Sequence, residues 1–309
     1  MRIWFLVAAV VGCGPAAAAS RVGTELHRRG GVGTAEHWSA LLSAYLDQDG
    51  DRCLPAVSTV LGAPGGALPA RRIDASMPHY GFFRGPVRYR VGATPSRRWR
   101  VAFQVAVAAE ASEARMELPD CALRGRLEGL SCEGVPYEDA PGLTACPREQ
   151  GAFSAPQTRR NLAVLLDWWS EEVSGLWNRD ADRFGIPVRY AIRFVLVDGA
   201  TVSSRTDIRL PLSPSCGRTP YFSSLRTGWS VPIIAHEVGH FFGLLDEYEA
   251  LSGITSLYPK APFAGSERSR MGVSMKRETL LLPFHHYLVL RRYHCPPGAP
   301  GPVFRGDMP

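Results

Sequence analysis

Two histidines four residues apart, His236 and His240, with Glu237 beside the first, are the residues of this 309-residue chain best suited to carry chemistry. On a helix, a spacing of four puts both imidazoles on one face, one turn apart, where they can reach a single ion. Zinc with a vacant position lowers the pKa of bound water towards neutrality, and a neighbouring carboxylate can take the proton as the water attacks a polarised carbonyl. His236 and His240 are therefore candidate zinc ligands and Glu237 the candidate general base.

Two residues on one helix cannot close such a site, so a third protein ligand is required. Gly243 can adopt the left-handed conformation that stops a helix, letting the chain turn back so that Asp246, three residues on, points at the metal. Zinc accepts a carboxylate oxygen as well as an imidazole nitrogen. The apolar run from Trp229 to Ala235 leads directly into the motif and fits a buried start to the helix.

The whole segment HEVGHFFGLLDEY, His236 to Tyr248, resembles the extended motif of the metzincin clan of zinc peptidases, which places the third ligand at this spacing. Most members carry His there, and Asp is the substitute of a bacterial minority. The DEY continuation is similar to secreted bacterial metallopeptidases of the immunoglobulin-A-peptidase type. The resemblance covers about residues 157–294 and implies an α+β catalytic domain with a mixed sheet, an active-site helix, a Met-turn and a closing helix. It also implies a Zn2+ cofactor and a protein or peptide substrate. Met271, in Arg270-Met271-Gly272, is the candidate Met-turn residue, with Met275 as the alternative. Because the usual third His is absent, Glu247 and His285 stand as alternatives to Asp246. Tyr248 could orient a ligand or stabilise an oxyanion, or simply pack.

The elements that would position these residues can be read from periodicity. Leu162, Leu165, Leu166, Trp169, Val173 and Leu176 recur at helical spacing, and alternation over Val188–Val197 marks a strand. A closing helix is expected through Phe284 to Tyr293. Further upstream, a helix is expected around Glu36 to Leu46 and a strand over Trp99–Ala108, separated by Gly and Pro. These features suggest a zinc peptidase domain over 151–309, preceded by a smaller, β-rich N-terminal domain over 21–150 whose role is not legible.

Residues 1–20 have the layout of an export signal: Met1 and Arg2, an apolar run from Ile3 to Val11, then small residues. Val10-Val11-Gly12-Cys13 resembles a lipobox, so a lipid anchor through Cys13 competes with cleavage near Ala17–Ala19. Without Cys13, six cysteines remain, an even number suited to three disulfides in an oxidising compartment, and no C-x-x-C pair suggests a cysteine zinc site. An extracytoplasmic location follows, at the cell envelope or beyond it.

The net charge is +6, yet the basic residues are nearly all arginines scattered along the chain, with lysine only at Lys260 and Lys276. Such scatter argues against a nucleic-acid partner. Two other functions fit the same motif: a surface lipoprotein that binds a partner around a structural zinc, and a hydrolase of peptidoglycan peptides.

Overall fold

A computed structural model describes residues 15–30, 34–49, 53–79, 83–112, 114–134, 136, 153–197, 205–217, 223–247 and 266–295. The fold is α+β, built around a mixed sheet. Its first strands are β1 (Leu68–His79), β2 (Phe83–Ala93) and β3 (Trp99–Ala108), a run of antiparallel neighbours. β7 (Val188–Val197) then pairs in parallel with β3 along all of β3, from Trp99 opposite Val188 to Ala108 opposite Val197. The other edge of β3 is shared: β2 takes Trp99–Ala102, and β8 (Ile208–Ser213) takes Val105–Ala108 in parallel, followed by the short β9 (Leu225–Arg226). A second, small sheet joins β4 (Arg115–Glu117), β5 (Ser131–Cys132) and β6 (Phe153–Pro156).

One face of the main sheet carries the core. Val101, Phe103 and Val105 on β3 lie opposite Tyr190, Ile192 and Phe194 on β7, and all six are buried. Helix α4 (Arg159–Arg183) covers them, with Trp169 edge-on to Phe194 and Trp177 tilted against Tyr190. Thr158 caps its first turn by accepting the Asn161 N–H, which satisfies one of the orphan donors at a helix start. Helix α5 (Val231–Phe241) packs beside α4, where the Trp177 indole N–H donates to the Ala235 carbonyl and Phe241 stacks on Phe103.

The division anticipated near residue 150 does not coincide with a break in the sheet. β3, from the upstream segment, hydrogen-bonds to β7 and β8 from the downstream one, and a single hydrophobic cluster runs from Ala18 to Tyr293. Strand pairing satisfies the backbone groups of both segments at once, so neither edge is left bare at that point.

The upstream helices α1 (Pro15–Gly30), α2 (Ala35–Asp49) and α3 (Val57–Leu61) gather around α6 (Pro283–His294). Every residue of α6 from Pro283 to Tyr293 is buried, although that stretch includes two His and two Arg. Its polar groups are met from upstream: Tyr287 donates to Pro55 O, Arg291 to Cys53 O, and Val289 O accepts from Tyr89. Residues 15–20, the end of the anticipated export signal, begin α1, where Ala18 and Ala19 are buried; Cys13 lies outside the described residues.

Cys53 is disulfide-bonded to Cys295, 242 residues away, and Cys121 to Cys132. Cys216 is disulfide-bonded as well, while Cys146 lies outside the described residues. Such bonds are typical of extracytoplasmic proteins. Among the described residues, no helix is long and apolar enough to cross a membrane.

The Cys53–Cys295 link closes a very long loop at the end of α6, and removing a native disulfide of this kind costs about 2–5 kcal/mol. Replacing both cysteines with serine is expected to lower the unfolding free energy by roughly that amount, measured by guanidinium denaturation.

Candidate metal centre

Helix α5 starts with Ser230 as its N-cap and Pro232 in its first turn, where a missing N–H costs nothing. It runs only to Phe241 because of how it stops. Phe242 is the C-cap, and Gly243 follows at φ 84°, the left-handed region open to glycine. The Gly243 N–H bonds to His240 O and the Leu244 N–H to Gly239 O, the two hydrogen bonds of a Schellman ending. The chain therefore doubles back one turn after the second histidine, as the sequence anticipates.

That reversal brings Asp246 to the histidines. Its Oδ1 lies 3.1 Å from His236 Nε2 and 3.4 Å from His240 Nε2, and the two Nε2 atoms are 3.1 Å apart. His236, His240 and Asp246 thus form a group of donor atoms that could hold a metal ion. A tetrahedral cation bound at about 2.0–2.1 Å by N and O ligands has ligand–ligand edges of about 3.3–3.4 Å, so the three atoms have nearly the right separation.

The imidazoles are turned so that these nitrogens face inward. His236 Nδ1 is 2.8 Å from Arg270 O, and His240 Nδ1 is 2.8 Å from Leu244 O. A carbonyl can only accept, so each Nδ1 carries the proton and each Nε2 presents a lone pair to the centre. Both histidines are almost wholly buried. Burial opposes protonation of His240, but Asp246 and, less strongly, Glu237 outweigh it and raise its pKa. Burial likewise opposes ionisation of Asp246, yet His240 and His236 hold its carboxyl well below the usual range. The centre is thus arranged for positive charge, and Glu237, half-buried, lies close enough to contribute to that field.

The two alternative third ligands are occupied with each other. Glu247 Oε1 is 2.7 Å from His285 Nε2, both side chains being fully buried. His285 Nδ1 accepts the Leu282 N–H at 2.8 Å, so its Nε2 carries a proton and donates to Glu247. Neither belongs to the group formed by His236, His240 and Asp246. Tyr248 lies outside the described residues.

Met271 is fully buried directly against α5: a methyl group added to Gly239 would come 2.6 Å from the Met271 sulfur. Gly239, inside the HEVGH segment, leaves the room that the Met271 sulfur occupies. Met271 O also accepts the Glu247 N–H at 2.9 Å, tying this segment to the turn that carries Asp246. Met275, the alternative, is buried at a positive φ of 41°.

Three positioning groups had no signal in the motif. Arg270, fully buried, pairs with Asp180 of α4 at 3.1 Å, and Asp180 Oδ2 also accepts the Leu281 N–H at 2.9 Å. This pair anchors the segment whose Arg270 carbonyl fixes His236. From α2, the buried Tyr45 hydroxyl accepts the Leu245 N–H at 2.9 Å, next to Asp246 and 200 residues away in sequence.

Comparison with protein-family models, with curated proteins and with solved structures gave no match to this chain.

Tyr45→Phe strips a buried N–H of its acceptor. It is expected to cost about 1–3 kcal/mol of stability and to weaken metal binding, measured by denaturation and by competition with a chromophoric chelator. His286 gives a pH prediction. Burial first, and then His285, lowers its pKa from 6.5 to about 3, while Tyr190 OH lies 2.8 Å from its Nδ1. Between those two values the unfolded chain binds a proton that the folded protein refuses. Stability is therefore full above pH 6.5 and falls as pH drops towards 3, by at most about 1.4 kcal/mol per pH unit. His286→Gln is expected to flatten that acid limb in unfolding curves taken across the window.

Proposed function

We propose that this protein is an extracytoplasmic zinc-dependent endopeptidase with a metzincin-like site. The observation that carries the reading is the convergence of His236 Nε2, His240 Nε2 and Asp246 Oδ1, with Glu237 on the same helix between the two histidines. Among the described residues no fourth His, Cys, Asp or Glu joins them, and three protein ligands suit a catalytic ion better than a structural one. A zinc ion held by these residues supplies Lewis acidity, making water more acidic and a carbonyl more electrophilic.

The chain's own residues do the rest. Asp246, ionised and buried, offsets the positive charge at the centre, while the Arg270 and Leu244 carbonyls keep both imidazoles from rotating. Glu237 removes a proton from the attacking water and later delivers it to the leaving amine, a role that fits a carboxylate adjoining the first ligand. Met271 and Gly239 fix the floor of the site, as the Met-turn does in the clan the motif resembles. The disulfides support action outside the cytoplasm, and the N-terminal residues 1–20 are assigned to export, with Cys13 available as a lipid anchor.

Glu237→Gln is the decisive variant. It is expected to retain one zinc per chain by atomic absorption and to lose about 10²–10⁴-fold in hydrolysis of casein or a peptide library. Full activity in that variant would refute the assignment. Asp246→Ala is expected to lose the zinc itself. Cleavage of purified cell wall but of no protein substrate would transfer the same chemistry to peptidoglycan peptides.

A further inference from the structure

The arginines that look scattered along the sequence are gathered by the main sheet. Side chains two apart on a strand share a face, and residues paired across strands share it too. Arg72 lies opposite Arg90, Arg90 opposite Ala102, Arg100 opposite Arg189, and Gln104 opposite Arg193. With Arg88 two residues before Arg90, this puts six arginines from β1, β2, β3 and β7 on one face. Val101, Phe103 and Val105 occupy the alternate positions under α4 and α5, so the arginine face is the one turned away from the metal centre.

This face is concave. A groove of about 820 Å³ runs over it, with Gly92, Ala102 and Ala191 at its floor and arginine side chains at its sides. The small floor has a backbone cause: at Gly92 a methyl group would come 2.9 Å from Ala70 Cα, where the β1–β2 register shifts. Arg90 is fixed in place by Asp207 Oδ2 and Arg205 O, both at 2.9 Å. Arg100 and Arg193 are exposed and have no carboxylate partner among the described residues. The three carboxylates that do pair with this face, Asp74, Asp207 and Asp182, take Arg88, Arg90 and Arg189.

We infer that this groove binds an extended acidic polypeptide segment. Guanidinium groups recognise carboxylates through paired N–H donors. Arg100 and Arg193, which line the groove, stand four residues apart along the paired strands β3 and β7, about 13 Å, or two repeats of same-side side chains along an extended peptide. No aromatic side chain points into the groove among its lining residues, since Phe103 faces Phe241 and Phe242 on the other side of the sheet. Single-stranded nucleic acid, which needs such stacking platforms, is disfavoured by that composition.

The test uses the full chain carrying Glu237→Gln, so that binding is read without cleavage and stands or falls apart from the proposed peptidase activity. A fluorescent peptide of alternating glutamate and serine is titrated by anisotropy at low salt. The peptide is expected to bind, more weakly as salt rises, and the double variant Arg100→Ala/Arg193→Ala to bind roughly tenfold or more weakly. Both positions are exposed, so the fold is retained. Equal binding by the double variant, or no binding at low salt, would overturn the inference. So would an oligothymidylate of matched charge binding as tightly as the peptide.

Discussion

Two imidazole nitrogens and a carboxylate oxygen, held within 3.4 Å of one another in a buried pocket, form the constraint on which the arrangement of this protein turns. Two nitrogen lone pairs facing each other repel unless a positive charge lies between them. The fold must therefore hold both rings against that repulsion. It does so with backbone carbonyls, the cheapest rigid acceptors available: Leu244 O, delivered by the helix's own ending, and Arg270 O, delivered by a distant loop. The loop in turn is held by the buried Arg270–Asp180 pair, in which burial lowers the Arg270 pKa and Asp180 raises it. A buried pair of this kind contributes little net stability, but loss of one partner leaves an uncompensated charge, so it is suited to fixing a position.

The same logic explains why upstream residues are built into the downstream site. The turn carrying Asp246 has one flank on the Met271 segment, through the Glu247 N–H, and the other on Tyr45 of α2, through the Leu245 N–H. Tyr45 and Trp38 both pack edge-on to Phe284 at the start of α6. A buried helix with His and Arg side chains needs polar partners all around it, and α6 finds them at Cys53, Pro55 and Tyr89. The upstream segment is thus a structural component of the proposed catalytic unit.

Much of this was legible in the residues. Trp99–Ala108 and Val188–Val197 alternate over most of their length, and both form strands over those bounds, because period-2 hydrophobicity is a local property. The ending of α5 was legible for a similar reason: only Gly243 could supply the left-handed residue. What was not legible was that one sheet takes strands from both sides of position 150, and that it gathers arginines spread along the chain. Both depend on parallel pairing between β3 and β7, some 90 residues apart, and nothing in either strand names its partner.

By itself, the sequence determined the local facts: two histidines on one helix face, a glycine that stops the helix, and an aspartate at the distance a reversal requires. Tertiary structure alone decided which of Asp246, Glu247 and His285, all of suitable chemistry, lies beside the two histidines. Glu247 and His285 are hydrogen-bonded to each other in the core, and Asp246 is left facing the histidines. The physical reason is that a residue's type and spacing set what it can bind, whereas its partner depends on which distant segments the core brings alongside it.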